Sequence, residues 1–233
     1  MGAAGVRGSS RLSRYRRRRP LPALALFVIL GMVAVFVWVE VLSDANDVNA
    51  ATRCNAPTNP SLGPSGEPAA PVGQVLGHDA LDRTDPIPVN EVQVRVFNGS
   101  TRRNQAKYAA TALTELGFQQ AAEPDNDPVY PASDLNCRGQ IRFGANGAQA
   151  ARTLSIVEPC LELVRDDRQD ATVDFAVGEK FDETKPNGDA RKVLDQLKAW
   201  AEQHPEQPGG QVAEASQPTL DPALLQAARN VRC

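Results

Sequence analysis

The residues able to do chemistry are few, and the first cluster lies in "EVQVRVFNGSTRRNQA", residues 91–106. An alternating apolar strand runs into Asn98-Gly99 and on towards a helix, the construction in which backbone N–H groups hold an anion. Asn98, Gly99 and Ser100 are therefore a candidate anion corner. Arg102 and Arg103 follow in what reads as the first helical turn, where positive charge opposes the helix dipole unless an anion or acid is near. A tight structural turn capped by Ser100 or Thr101 explains the same residues and is the preferred reading.

Elsewhere the chemistry thins out. Of two histidines, His78 sits in a Pro/Gly-rich stretch and His204 precedes Pro205, so neither is placed for proton transfer. The acidic run "RDDRQD", residues 165–170, lacks the ligand spacing of an EF-hand and reads as a hairpin turn. The four cysteines, Cys54, Cys137, Cys160 and Cys233, form no CxxC pair and no Cys/His cluster, which argues against zinc. No catalytic residue, metal set or cofactor is expected.

The elements that would position these residues follow from apolar periodicity. In "VQVRVFN" Val92, Val94 and Val96 alternate with Gln93, Arg95 and Phe97, the period of a strand with one buried face. Ala106, Ala109, Ala110, Leu113 and Leu116 then recur at helical spacing, and Gly117 stands in the usual stop position. Phe118 opens a short extended segment and a loop running to Tyr130. The pattern repeats in "GQIRFGANGAQAARTLSIVEP": a strand bearing Ile141 and Phe143, a glycine corner, and a helix with Ala148, Ala151, Leu154 and Val157 in a stripe ended by Pro159. "CLELV" and "ATVDFAVG" read as further strands. Two helices on one face of a mixed sheet give an α+β two-layer sandwich of ferredoxin-like type with an added strand. A third amphipathic helix is expected over 189–203, and Asp221-Pro222 marks the start of a fourth.

In that sandwich the uncovered sheet face would present Gln93, Arg95, Gln140 and Arg142, with Glu162 and Asp174 from further strands. Arg95 and Arg142 would lie on neighbouring strands, where two arginines repel unless acids or a ligand intervene. The face is therefore a candidate binding surface for a polyanionic or carboxylate-bearing polymer, or else a solvated face laced with salt bridges.

Charge separates the two ends of the chain. Residues 1–20 hold seven arginines and no acid; taking that +7 from the net −3 of the 233 residues leaves −10 for the remainder. Between them, "LPALALFVILGMVAVFVWV", residues 21–39, carries no charge and makes roughly 28 Å of helix at about 1.5 Å per residue, close to a bilayer core. The expectation is a single span with the basic end in the cytoplasm, rather than a cleaved signal peptide with a shorter apolar run. Residues 40–88, rich in Pro, Gly, Asn and Ser, read as an extracytoplasmic tether; 89–183 as the folded domain; and 184–233 as helices and a connector packed on it. Four cysteines on the outer side favour disulfides. Of three possible pairings, Cys137 with Cys160 and Cys54 with Cys233 is preferred, since the first pair lies inside the domain and the second in its flanks.

The "VRVFNGS" strand, the "AATALTELGF" helix exit and the "ELVRDDRQDATVDFAVGEKF" ending resemble the LytR C-terminal domain family over residues 92–181. The resemblance implies a membrane-anchored extracytoplasmic protein supporting cell-envelope integrity, without known catalysis. In LytR-CpsA-Psr enzymes this domain follows a phosphotransferase domain that joins glycopolymers to peptidoglycan, and no counterpart is recognised here, so ligase activity is not expected. The expected partners are the membrane, a peptidoglycan or arabinogalactan-type polymer, or envelope-assembly proteins; nucleic acid is not among them.

Overall fold

The computed structural model describes residues 21–58, 73–204 and 218–233. The basic head, the middle of the expected tether and the Pro/Gly-rich connector lie outside the described residues. The chain divides into two compact units, Met1–Asp44 and Ala45–Cys233.

The described part of the first unit is helical, within α1 (Leu21–Thr52). The large apolar side chains described between residues 24 and 39 are all exposed, Phe27 most of all at 71%. Among the described residues no helix is long and apolar enough to cross a membrane.

The second unit is built around a seven-stranded sheet. Its strands are β1 (Gln74–Val75), β2 (Gln93–Asn98), β3 (Gln119–Gln120), β4 (Asp125–Asn126), β5 (Gly139–Phe143), β6 (Glu162–Arg165) and β7 (Val173–Val177). They are ordered β1-β6-β5-β7-β2-β3, with β4 further along the same edge of β2. Two helices, α2 (Gln105–Glu115) and α3 (Ala148–Val157), cross over between parallel neighbours, β2 to β3 and β5 to β6.

Each expected βαβ unit thus exists, but the two do not interleave as in a ferredoxin-like sheet. They stand side by side, and β7 fills the seam, parallel to β2 and antiparallel to β5. This corrects two expectations. Arg95 and Arg142 are not on neighbouring strands, because Asp174 of β7 is paired in register with both. The run at 165–170 is not a hairpin turn, because β6 and β7 are separated by β5. The loop must cross the end of β5, and it passes so close to Gly144 that a Cβ there would lie 2.0 Å from the Arg168 carbonyl oxygen.

Local chemistry explains the helices. Val92, Val94 and Val96 are fully buried beneath Ala109, Ala110 and Leu113 of α2. That helix ends as its glycine requires: Gly117 has φ of +98°, its N–H donates to the Thr114 carbonyl, and the Phe118 N–H donates to that of Leu113. This is the Schellman arrangement. The helix starts later than the sequence implies, after Asn104 in left-handed conformation, so Arg102 and Arg103 lie in a loop before the first turn. From Ala150 to Val157, α3 is buried on every side, because α4 (Gly188–Gln203) and α5 (Pro222–Arg229) cover its outer face. Ile156 packs there with Val193, Leu197 and Ala228. Asp221 caps α5 through a 2.9 Å bond from the Ala223 N–H, with Pro222 at the first helical position.

The segment expected to be a tether is partly folded into the domain. Gln74 and Val75 pair with β6, Leu81 enters the core, and Cys54 is fixed to the body by a disulfide. The domain therefore begins well before residue 89.

Candidate functional site

The face opposite α2 and α3 is not open. Residues 127–137 lie over β5 and β7, where Val129, Tyr130, Leu135 and Cys137 pack on Ala176 in a second apolar cluster. The cover is stapled by Cys54–Cys137, while Cys160–Cys233 holds the end of the chain beyond α5. All four cysteines are bonded, but the pairing differs from the preferred one: each bridge joins a flanking cysteine to one in the body.

Beneath that cover the polar residues of the sheet form one network. Arg142, 4% exposed, donates Nη1 and Nη2 to the two oxygens of Asp127 at 2.7 and 2.6 Å and Nε to Gln140 Oε1 at 2.8 Å. Gln140 Nε2 donates to Glu162 Oε2 at 2.7 Å, and Glu162 Oε1 accepts from the Cys54 N–H at 3.1 Å. Tyr130 donates its hydroxyl to the Asn55 carbonyl at 2.6 Å, and burial pushes its pKa up to about 12. Arg95 is partly exposed and donates Nε to Asp174 Oδ1 at 2.7 Å; Asp174 also pairs with Arg168. Gln140 and Arg142 are thus removed from the candidate binding surface. A buried arginine needs its partners close, and here the protein supplies them all. Only Gln93 remains open to solvent, with Arg95 half so.

The corner at Asn98, Gly99 and Ser100 is likewise filled from within. Glu179 accepts hydrogen bonds from both the N–H and the hydroxyl of Thr101, which hold its carboxyl below the usual carboxylate range. Arg102 Nη1 donates to the Phe181 carbonyl at 2.8 Å. Gly99 is demanded by packing, since a Cβ there would come within 2.9 Å of Leu135. The structural turn is the better reading.

Two surface features stand out among the described residues. One is a cleft of about 500 Å³ lined by Asn90, Gln93, Asn146 and Gln149. The other, which sequence reasoning missed, is a cavity of about 570 Å³ with Asp82, Arg152 and Arg229 in its wall and His78 beside them. His78 is not a solvated tether residue: its Nε2 lies 2.7 Å from the Pro159 carbonyl, and burial with nearby Arg229 lowers its pKa. These residues come from the expected tether, α3 and α5, and no local pattern links them.

Residues 91–181 match the model described as LytR cell envelope-related transcriptional attenuator. The chain is also 36% identical over 211 residues to the cell envelope integrity protein Cei of Mycobacterium tuberculosis, covering 91% of this chain and 88% of Cei. The chain belongs to the Cei family and carries a LytR C-terminal domain. Among solved structures, the soluble domain of a conserved hypothetical secreted protein from Mycobacterium marinum superposes with a TM-score of 0.58 at 35% identity, covering 70% of this chain and 100% of that one. In this Cei-family chain the matched region holds β2 through β7 but not Asp82 or Arg229, two of the charged residues that line the second cavity.

Proposed function

We propose that this chain is a non-enzymatic, single-pass membrane protein whose extracytoplasmic domain binds wall glycan and thereby supports the integrity of the cell envelope. A role in the cell envelope follows from membership of the Cei family. The anchor is the apolar stretch at 21–39, whose described large apolar side chains are exposed. Two disulfides suit a domain held outside the reducing cytoplasm.

The observation that carries the glycan reading is the amide-lined cleft. Asn90, Gln93, Asn146 and Gln149 bring amide carbonyl acceptors and NH₂ donors, the groups that pair with sugar hydroxyls, to one concavity beside Glu91, although Asn146 Nδ2 already donates to the Gln169 carbonyl at 2.6 Å. A non-catalytic role is supported by how the reactive residue types are employed: His204 Nδ1 lies 2.9 Å from the Trp200 carbonyl while its ring stacks on the indole, and the buried acids Asp127, Glu162 and Asp174 are committed to arginines or glutamine. The second reading is a scaffold for glycopolymer ligases of the LytR-CpsA-Psr type that touches protein rather than glycan.

Full-length chain in detergent is incubated with isolated wall polymer and sedimented. The glycan reading expects retention that falls at least tenfold in Gln93→Ala with Gln149→Ala. Retention unchanged by that pair overturns it. Alkaline extraction of membranes tests the anchor, which is refuted if the chain is released to the soluble fraction.

A further inference from the structure

The cavity between residues 78–85, α3 and α5 is lined by Arg83, Arg152 and Arg229 and by Asp82 and Asp85, and two of its arginines are buried. Arg152 and Arg229 are 2% and 7% exposed, yet both Nη1 atoms converge on a single oxygen, Asp82 Oδ1. The Nε–H of each arginine has no hydrogen-bond partner although it is buried. A guanidinium stays charged and carries five donors, so two of them normally gather two carboxylates or one bidentate oxyanion each. Here one carboxylate serves both, and it arrives from the surface: Asp82 is half exposed, on a turn held by the Asp82 N–H to Asp79 carbonyl bond. Asp79 and Asp85 add only longer-range attraction, and burial lowers the proton affinity of both arginines despite Asp82.

We infer that this cavity is an oxyanion-binding site, in which Arg152 and Arg229 receive a carboxylate or phosphate group of an envelope saccharide and Asp82 occupies the same position as an internal stand-in when no ligand is bound. The inference rests on the envelope reading for the saccharide, not for the anion. Leu220, Pro222 and Leu225 give one side of the cavity an apolar wall, against which a sugar ring can lie, while Thr84, Gln226 and Asn230 add polar groups for its hydroxyls, and about 570 Å³ accommodates a monosaccharide beyond its anionic group. Arginine suits the task because its planar fork matches both carboxylate and phosphate. The neighbouring His78 keeps Arg229 in place: its carbonyl accepts from Arg229 Nη2.

The experiment uses full-length protein in detergent, with glucuronate, glucose 1-phosphate and neutral glucose as probes, read by calorimetry and by thermal unfolding. Wild type is expected to bind the charged sugars weakly and glucose not at all. Asp82→Asn frees both arginines and should tighten charged-sugar binding about tenfold or more, with a melting temperature that climbs with probe concentration. Arg229→Lys keeps the charge but loses the fork, and should abolish the gain in the Asp82→Asn background; near-UV circular dichroism and intact disulfides establish that it folds. A response to glucuronate alone assigns a carboxylate, to glucose 1-phosphate alone a phosphate, and to both the shared chemistry. The inference is overturned if Asp82→Asn binds no charged sugar better than wild type, or if glucose acts equally well. Those results come from purified protein, so they are distinct from a failure of the envelope reading, which would show as normal envelope resistance in cells lacking the chain.

Discussion

Arg142 and Asp127 form a two-pronged ion pair at 2.7 and 2.6 Å, both residues buried, between a central strand and the loop that covers it. The pair explains why the back of the sheet is closed. The Asp127 backbone N–H donates to the Asn98 carbonyl at the end of β2, so the same residue ties the cover to two strands.

Removing one partner leaves the other charged in an apolar enclosure. Asp127→Ala should cost about 3–5 kcal/mol in urea denaturation, whereas Asp127→Leu combined with Arg142→Met should recover most of it. Equal losses in the single and double variants would show that the pair does not carry the cover.

The disulfide pairing predicts a specific peptide map. Non-reducing digestion should yield Cys54 linked to Cys137 and Cys160 linked to Cys233, and no fragment joining Cys137 to Cys160. The bridges join residues 83 and 73 apart in sequence, so replacing either pair by serine should lower stability by about 4 kcal/mol on the chain-entropy account.

Glu158 should make the domain pH-sensitive. It sits 2% exposed just past the end of α3, 3.5 Å from Arg138, and burial raises its pKa from 4.5 to about 7. Because the folded form binds the proton more tightly than the unfolded one, its contribution is favourable below pH 4.5 and is lost as pH rises through 7. At about 1.4 kcal/mol per unit the loss over that whole range is on the order of 3–4 kcal/mol. Chemical denaturation between pH 5 and 8 should show that decline in wild type and a flatter profile in Glu158→Gln; parallel profiles would refute it.

Two glycines should behave oppositely. Gly144→Ala drives a methyl into the Arg168 carbonyl where the loop crosses β5, and should cost at least about 2 kcal/mol. Gly188→Ala, at the first turn of α4 with nothing within 4 Å, should be neutral or slightly stabilising. A matching loss at both positions would mean that the crossing is not tight.

Much of the local structure was legible. The alternation of Val92, Val94 and Val96, the helix stopped at Gly117 and the Asp221-Pro222 start are each written in a few consecutive residues, because strand period, left-handed glycine and capping act over one turn or less. The pseudo-repeat was legible for the same reason, as two stretches that each make a strand, corner, helix and strand. The candidate surface was misread because periodicity shows which side chains share a face and says nothing of what covers it. Gln140 and Arg142 do lie opposite Ile141 and Phe143, as alternation requires, yet residues 127–137 close over them.

The amino-acid sequence by itself determined the long helices, the alternating faces of β2, β5 and β7, and the resemblance to the family. Only the tertiary structure decided that β7 lies between the two units, that the cysteines pair flank to body, and that Asp82, Arg152 and Arg229 meet. The division is physical: hydrogen bonding and side-chain period are fixed by neighbours in the chain, whereas strand order, disulfide partner and ion-pair geometry depend on which distant surfaces bury the most apolar area together.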